Sequence, residues 1–340
     1  MKLDNLIEKQ IPESRLYLGD NSVVLKKLIA EGIKVDLTYI DPPFSTNGVF
    51  RKGGSRVSTI SSSKADEIAY TDTLVGDKFL DFLRERIILI KEILSERGTL
   101  YLHIDTKVGY KVRALLDEVF GENRFISEIT RIKCNPKNFS RKAFGNIKDV
   151  IYVYSKTEDY IWNNPREPFS EEDIRRLFPK EKDGRLYTTN PLHAPGETRN
   201  GETGKKWRDM LPPEGRHWRY PPSELEKLEK KGLIEWSSNG NPRKMIFADE
   251  MKKKGKAVQD VWTYKDPVRP KYPTEKNREM LELIVKTSSN PGSIVLDCFC
   301  GSGSTLLAAN KLDRKFIGID ESKVAINTVI KQIPEQRKLI

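Results

Sequence analysis

The sequence is poor in cysteine and has no long apolar run, and each shortage excludes a class of protein. Its 340 residues include only three cysteines, Cys134, Cys298 and Cys300, too few for a disulfide framework. One residue separates Cys298 from Cys300 and no histidine lies nearby, so we expect no zinc or other metal site. No stretch approaches the roughly 18 apolar residues that a membrane helix needs. The opening segment, MKLDNLIEKQIPESR, lacks the apolar core of a signal peptide, so we expect a cytoplasmic protein.

What the sequence does contain is charge, with an excess of cations. Hydrophobic residues make up 37% of the chain, charged residues 32%, and the formal net charge is +11. The hydrophobic fraction suffices for a folded core. A basic protein often has a polyanionic partner, with nucleic acid as the first candidate, and the alternative is a solvated, lysine-rich surface. Charge alone leaves both readings open.

The outer parts of the chain, 1–160 and 271–340, alternate apolar strands with amphipathic helices. Runs rich in β-branched and aromatic residues predict strands at 35–40, 99–104, 149–154, 293–297 and 315–320. Apolar residues at helical spacing predict helices over 79–94 with an end at Gly98, over 108–120 with an end at Gly121, over 304–312, and from Ser322. This alternation favours a mainly parallel sheet covered on both faces.

The middle part, 161–270, differs in composition from the outer parts. It is crowded with proline and glycine, it holds all five tryptophans, and its 23 Lys/Arg exceed its 18 Asp/Glu. One helix is predicted over 223–231 with Ser223 as its N-cap. We therefore expect an inserted, irregular α+β region, whose tryptophans form a local core more often than they stack on bases. In the first part, the Ser-, Gly- and Lys/Arg-rich segment 45–69 predicts a mobile loop.

Two motifs carry the chemistry, and the first is Asp41-Pro42-Pro43-Phe44. It follows a predicted strand directly, where ligands bind in an open parallel sheet. The two prolines fix the backbone and remove two N–H donors, which leaves carbonyls and a carboxylate as acceptors beside an aromatic face. Such a set suits a planar ring that bears an NH2 group. The alternative is an ordinary proline turn after a strand.

The second motif is the run Asp297-Cys298-Phe299-Cys300-Gly301-Ser302-Gly303-Ser304-Thr305, between a predicted strand and a predicted helix. Its glycines permit close approach of a ligand to the backbone, and the helix N-terminus offers N–H groups to a carboxylate. Asp320 ends the next strand, a position that suits hydrogen bonds to ribose hydroxyls. Leu306 stands where a dinucleotide fingerprint has its third glycine, which disfavours a pyrophosphate ligand. The alternative is a plain helix-start turn.

Together, these two motifs resemble those of the DNA amino-methyltransferases, in the order of the beta class, catalytic motif first and cofactor motif last. Further resemblances extend over nearly the whole chain: Leu16-Tyr17-Leu18-Gly19-Asp20, Gly215-Arg216-His217-Trp218, Val261-Trp262-Thr263 and Tyr272-Pro273-Thr274-Glu275-Lys276. The resemblance implies a Rossmann-like, mostly parallel, seven-stranded α/β sheet with helices on both faces, circularly permuted. It also implies a catalytic half at 1–160, a target-recognition region at 161–270 and a cofactor-binding half at 271–340.

The resemblance also implies a cofactor and a reaction. S-adenosylmethionine would supply a methyl group to the exocyclic N6 of adenine in a base flipped out of double-stranded DNA, gripped by Asp41, Pro42, Pro43 and Phe44. The residues implied to hold the cofactor are Asp20, Lys276, Asp297, Phe299, Cys300, Gly301, Ser302, Gly303, Thr305 and Asp320. A cognate restriction endonuclease and a homodimer are implied as partners. Cys298 in place of the family's proline, and Glu275-Lys276-Asn277 in place of Gln-Lys-Pro, predict weaker or shifted cofactor affinity at most.

Several alternatives stay open at this point. Cytosine N4 methylation shares the chemistry, although its usual motif begins with serine. Cytosine carbon-5 methylation needs a nucleophilic cysteine after a proline, and Cys134 has none before it. RNA and protein methyltransferases generally carry the cofactor motif first. A catalytically inactive DNA-binding relative would be expected to lose Asp41 or a cofactor glycine.

Overall fold

A computed structural model describes residues 7–11, 14–43, 48–52, 57–58, 67–72, 76–136, 142–267 and 275–333. The chain divides into two compact units, one formed by Met1–Pro165 with Gln259–Ile340 and the other by Arg166–Val258. None of the helices in the described ranges is both long and apolar enough to cross a membrane.

The strands of the described residues are numbered in chain order. They are β1 (Ile7–Ile11), β2 (Ser14–Leu18), β3 (Val35–Ile40), β4 (Gly48–Lys52), β5 (Val57–Ser58), β6 (Glu67–Asp72), β7 (Leu94–Asp105), β8 (Phe125–Ile132), β9 (Lys148–Ser155), β10 (Arg166–Glu167), β11 (Lys180–Lys182), β12 (Arg185–Pro191), β13 (His193–Pro195), β14 (Arg216–Trp218), β15 (Ile234–Trp236), β16 (Pro242–Phe247), β17 (Lys256–Ala257), β18 (Val261–Trp262), β19 (Ile294–Asp297) and β20 (Lys315–Asp320).

The α-helices of the same ranges follow the same convention. They are α1 (Asn21–Ala30), α2 (Asp77–Ile93), α3 (Thr106–Phe120), α4 (Glu171–Leu177), α5 (Pro222–Lys230), α6 (Ala248–Lys254), α7 (Arg278–Ser288), α8 (Ser304–Lys311) and α9 (Lys323–Gln332).

The first unit is built on a sheet with the strand order β1-β2-β20-β19-β3-β7-β9-β8-β18. The five strands from β2 to β7 are parallel, and β9 runs antiparallel to both of its neighbours. The seven strands from β2 to β8 confirm the predicted seven-stranded, mostly parallel sheet. Two edge strands enlarge it, because β1 forms a hairpin with β2 and β18 adds to β8.

Helices cover both faces of this sheet. Seven consecutive residues of β9 are buried, as are the consecutive apolar residues of β7. Because successive side chains of a strand point to opposite faces, such a run requires cover on both sides. The predicted α/β architecture is therefore confirmed, and its core is rich in Ile, Val and Leu.

Three local predictions were wrong. Helix α2 ends at Ile93 rather than near Gly98, because Leu94 already adopts an extended backbone and joins the sheet. Helix α5 begins at Pro222 and not after a Ser223 cap, since proline is pre-organised for the first helical turn. The segment 45–69 is not one loop, because β4, β5 and β6 form a small antiparallel sheet there.

The second unit holds small antiparallel sheets, the largest with the order β11-β12-β16-β15. Trp207 and Trp218 are buried in its core, in line with the expected local role of tryptophan. The boundaries differ from the predicted 161 and 270. Ile161 bonds to the backbone of Arg97, and β18 pairs with β8, so both segments belong to the large sheet's unit.

Candidate active site

The two motifs lie side by side at one edge of the large sheet. Strands β3 and β19 are parallel neighbours, with Thr38 opposite Leu296. Asp41 follows β3 directly and Asp297 is the last residue of β19. Because parallel strands end at the same edge, Asp41 and the glycine turn after Asp297 share that edge. The two segments are thus neighbours in the fold although most of the chain separates them in sequence.

The Asp41 carboxylate is largely buried and uses its two oxygens differently. Its Oδ2 forms an ion pair with Lys276 Nζ at 2.5 Å. Within the described residues, no hydrogen-bond donor reaches the buried Oδ1. A buried carboxylate oxygen without a donor is costly to the fold. It is therefore an acceptor available to a ligand.

The rest of the first motif is partly described. Pro42 is buried and Pro43 is half-buried. Phe44 lies outside the described residues, and so does the segment Tyr272-Pro273-Thr274. The predicted contact of Lys276 with the cofactor stays a prediction, and its Nζ forms an ion pair with Asp41.

The residues that follow β19 form a turn organised by Asp297. Its Oδ1 accepts the Phe299 N–H at 3.1 Å. Burial raises the pKa of Asp297 to about 7, opposed by hydrogen bonds from Thr305 and Phe299. Cys298, Cys300 and Thr305 are buried, whereas Phe299 is half-buried. The carboxyl group thus ties the end of β19 to the first turn of α8.

Glycine backbone and Asp320 complete this turn. Gly301 has a φ of 47° and Gly303 a φ of 77°, conformations that favour glycine. Asp320 Oδ2 accepts the Gly301 N–H at 2.8 Å, and its Oδ1 accepts the Ser322 N–H at 2.8 Å. Gly303 is the N-cap of α8 and makes no side-chain cap, and the Ser302 and Ser304 hydroxyls bond to each other at 3.0 Å. The N-cap residue therefore offers no side-chain acceptor to the first N–H groups of α8.

Asp20 caps α1 beside this turn. Its Oδ1 accepts the Val23 N–H at 3.1 Å, and its Oδ2 pairs with Arg86 at 3.1 Å. The adjacent Asn21 donates to the Cys298 carbonyl at 2.8 Å and accepts from Arg86 at 2.7 Å. Asn21 and Arg86 were not predicted, because a link from α2 through α1 to the turn leaves no signal in local sequence.

A histidine behind Asp41 was also missed. His103, within β7, is fully buried. Its Nδ1 lies 2.8 Å from the Tyr39 hydroxyl and 3.8 Å from Asp41 Oδ1, and its Nε2 lies 3.1 Å from Asp149 Oδ2. The sequence did contain a signal for this residue, because a histidine among the apolar residues of a predicted buried strand indicates a buried polar contact.

Comparison with known proteins identifies the family. The model of the N6/N4 DNA methylase family matches residues 35–331, which includes both motifs. The chain belongs to the N6/N4 DNA methylase family. This methylase is 44% identical over 328 residues to the type II methyltransferase M.EcaI of Enterobacter cloacae, covering 95% of this chain and 69% of the relative.

Other relatives support the assignment. The methylase is 40% identical over 304 residues to the type II methyltransferase M1.MboII of Moraxella bovis, covering 87% of this chain and 88% of that one. It is 25% identical to the StyLTI Mod subunit of Salmonella typhimurium, a type III restriction-modification enzyme, and spans 56% of that longer protein. The solved structure of PvuII DNA methyltransferase, which is cytosine-N4-specific, matches with a TM-score of 0.50 at 11% identity, covering 97% of this chain and 93% of the other. At that identity the likeness concerns the fold alone. This chain is a DNA methyltransferase of the N6/N4 family.

Proposed function

We propose that this methyltransferase transfers a methyl group from S-adenosylmethionine to the exocyclic N6 of adenine in double-stranded DNA. The observation that carries the proposal is Asp41 Oδ1, a buried acceptor without a donor, beside the glycine turn after β19. An amino group of a target base supplies the missing N–H. The Pro42 carbonyl accepts the second hydrogen, which leaves the nitrogen lone pair free to attack the methyl group.

The residues of the glycine turn fit the cofactor. The uncapped start of α8 offers N–H groups to the methionine carboxylate. The cofactor's contribution when bound is an electrophilic sulfonium methyl. Asp297, Phe299, Cys300, Gly301, Ser302, Gly303 and Thr305 shape the turn, with Asp20 and Asp320 at its sides.

Adenine is proposed over cytosine because the motif begins with Asp41 rather than serine. The target amino group lies inside a stacked duplex, so the nucleotide must flip out at a cost of roughly a few kcal/mol. Phe44 stacks on the extruded ring in this proposal. The region 161–270 recognises the target sequence, with cationic side chains on the phosphates. A cognate restriction endonuclease and a homodimer complete the proposed partners.

The test is methyl transfer with labelled S-adenosylmethionine and DNA, followed by nucleoside analysis. Wild-type protein is expected to yield N6-methyladenine. Asp41→Asn is expected to lower single-turnover transfer by about 10²-fold or more, because one preorganised acceptor is lost. Its dissociation constant for S-adenosylmethionine is expected to change little.

Asp36→Asn is the matched control, since Asp36 lies on β3, the strand that Asp41 follows, and accepts from the Ser95 hydroxyl at 2.8 Å. It is expected to retain wild-type transfer. If the product were N4-methylcytosine, the target base would be cytosine instead of adenine. A fully active Asp41→Asn enzyme would contradict the role of the carboxylate.

A further inference from the structure

His103 stands directly behind the proposed catalytic carboxylate. In the register of β3 with β7, Ile40 lies opposite Leu102, so the next residues are Asp41 and His103. The 3.8 Å between His103 Nδ1 and Asp41 Oδ1 is too long for a hydrogen bond but short enough for strong coupling of charge. Asp41 Oδ1 is the same oxygen that lacks a donor.

The other side of the imidazole is held by an anion. Asp149 Oδ2 lies 3.1 Å from Nε2, and Lys133 contacts Asp149 Oδ1 at 2.5 Å. Burial works to raise the pKa of Asp149, but its hydrogen bonds with His103 and Lys133 and the charge of Lys133 outweigh burial and hold that pKa well below its usual range. An ionised Asp149 accepts the Nε2–H, so Nδ1 of the neutral ring carries no hydrogen and accepts the Tyr39 O–H.

The surroundings of the ring favour its neutral form. Burial lowers the pKa of His103, and the charge of Lys276 lowers it further, while Asp149 and Asp41 act in the opposite direction. Charged and titratable groups surround the ring on several elements. They are Tyr39 on β3, Asp41 just after β3, Asp149 on β9, Arg131 and Lys133 at the end of β8, and Lys276 before α7.

We propose that His103 is a positioning residue that acts through Asp41 in proton removal. The target amino group releases a proton to Asp41, and His103 takes it up from there. This inference rests on the proposed function. As the amino nitrogen bonds to the methyl carbon, the carbon–sulfur bond breaks and its electron pair stays on sulfur. The nitrogen, now positively charged, gives one proton to Asp41 Oδ1. His103 Nδ1 takes that proton as the Tyr39 hydroxyl, 2.8 Å away, turns from donating to Nδ1 to accepting from it. The ring is then an imidazolium paired with Asp149.

The arrangement explains two features that the methyl transfer alone leaves unexplained. The first is the burial of a titratable histidine beside the ions Asp149 and Lys133. Asp41 must also return to its anionic form while Lys276 occupies only one of its oxygens. When product leaves, the proton returns to solvent through Asp41, whose side chain is 16% exposed.

The test is the pH dependence of single-turnover methyl transfer, with His103→Gln compared with wild type. Glutamine keeps a donor for Asp149 and cannot take up a proton. We expect a wild-type rate that falls as pH drops through a midpoint below 6.5, the ordinary value for histidine. In His103→Gln that limb is expected to disappear, and the rate on the plateau to fall by about 10²-fold.

His193→Gln is the control, because the chain has three histidines and His193 lies in the other unit. It is expected to keep the wild-type midpoint. A purely structural role for His103 would lower the rate equally at every pH and leave the limb in place, and that result would overturn the proposal.

A second measurement does not depend on activity or on the folding of His103→Gln. Histidine NMR titration of the wild type and of Asp41→Asn, assigned with His193→Gln and His217→Gln, reports the pKa of His103. Asp41→Asn is expected to lower it, because the nearby negative charge is lost. An unchanged titration would overturn the inference. Wild-type protein that transfers no methyl group to DNA would instead refute the proposed function.

Discussion

At the scale of single residues, the site is defined by how carboxylates are partnered. Asp41 has a cation on one oxygen and no donor on the other. Asp320 has a backbone N–H on each oxygen. The first therefore has an oxygen available as an acceptor, whereas the second holds the glycine turn through both oxygens. Residue type alone did not distinguish these two aspartates.

Asp297 leads to a prediction about stability and pH. Its pKa is raised by burial from 3.8 to about 7, so the folded state binds a proton between those values that the unfolded chain releases. The stability from this group is present below pH 4 and is lost as pH rises to about 7. Asp297→Asn mimics the protonated form at every pH. We expect its free energy of unfolding, relative to wild type, to increase between pH 5 and pH 8.

Urea unfolding of both proteins at the two pH values measures this difference. Equal m-values serve as the control that the same surface is exposed on unfolding. A difference that stays constant with pH would show that the buried carboxyl does not titrate as expected.

At the scale of elements, apolar runs predicted the sheet well. β3 and β20 have the predicted limits, because Val, Ile, Leu, Phe and Tyr fill a strand that is covered on both faces. Element ends were harder to predict. Leu94 leaves α2 for the sheet without any glycine or proline, so tertiary pairing rather than a local signal sets that boundary.

The site was predicted in part for a related reason. Asp41 and the glycine turn have local signatures, and the structure brings them together. His103, Asn21 and Arg86 act through contacts between distant elements, which one sequence does not reveal. Lys276 was predicted as a cofactor contact, and its pairing with Asp41 depends on how the segment before α7 approaches β3.

Gly303, the residue before α8, is predicted to be more sensitive to substitution by alanine than Gly292, which serves as the control. A Cβ at Gly303 would lie 2.6 Å from Val329 Cγ2, whereas one at Gly292, with a similar φ of 84°, would meet open space. Gly292→Ala is expected to cost roughly 1 kcal/mol of backbone strain. Gly303→Ala is expected to cost more and to weaken S-adenosylmethionine binding, because the turn must shift.

Urea unfolding and cofactor titration measure both effects. Val329→Ala combined with Gly303→Ala is expected to recover part of the loss, since the clash is with that side chain. Equal costs at Gly303 and Gly292 would mean that α9 moves aside without effect on the turn.

At the scale of the whole molecule, the net charge of +11 suits binding to a polyanion. Lys253 and Lys254 are exposed on α6, whereas the exposed Lys205 and Lys227 pair with Glu202 and Glu224. The double variant Lys253→Gln, Lys254→Gln is expected to make the fall of log affinity for DNA with log salt less steep. The magnitude of the slope is expected to decrease by about 1 for each phosphate that the protein no longer neutralises.

The double variant Lys205→Gln with Lys227→Gln removes the same charge from paired positions and is expected to change the slope less. Fluorescence anisotropy with one duplex over a range of salt concentrations measures both slopes. Identical slopes for the two variants would assign the salt dependence to overall charge and not to α6.

The central position of β3 has a consequence for shortened forms of the chain. One neighbour of β3, β7, follows soon in sequence, but the other, β19, comes near the far end. A chain truncated before β19 keeps the proposed catalytic aspartate and exposes the unpaired backbone groups on one side of β3, an apolar strand of six residues. Such an open border is a template for strands of other molecules, so premature termination would create an aggregation hazard as well as abolish activity.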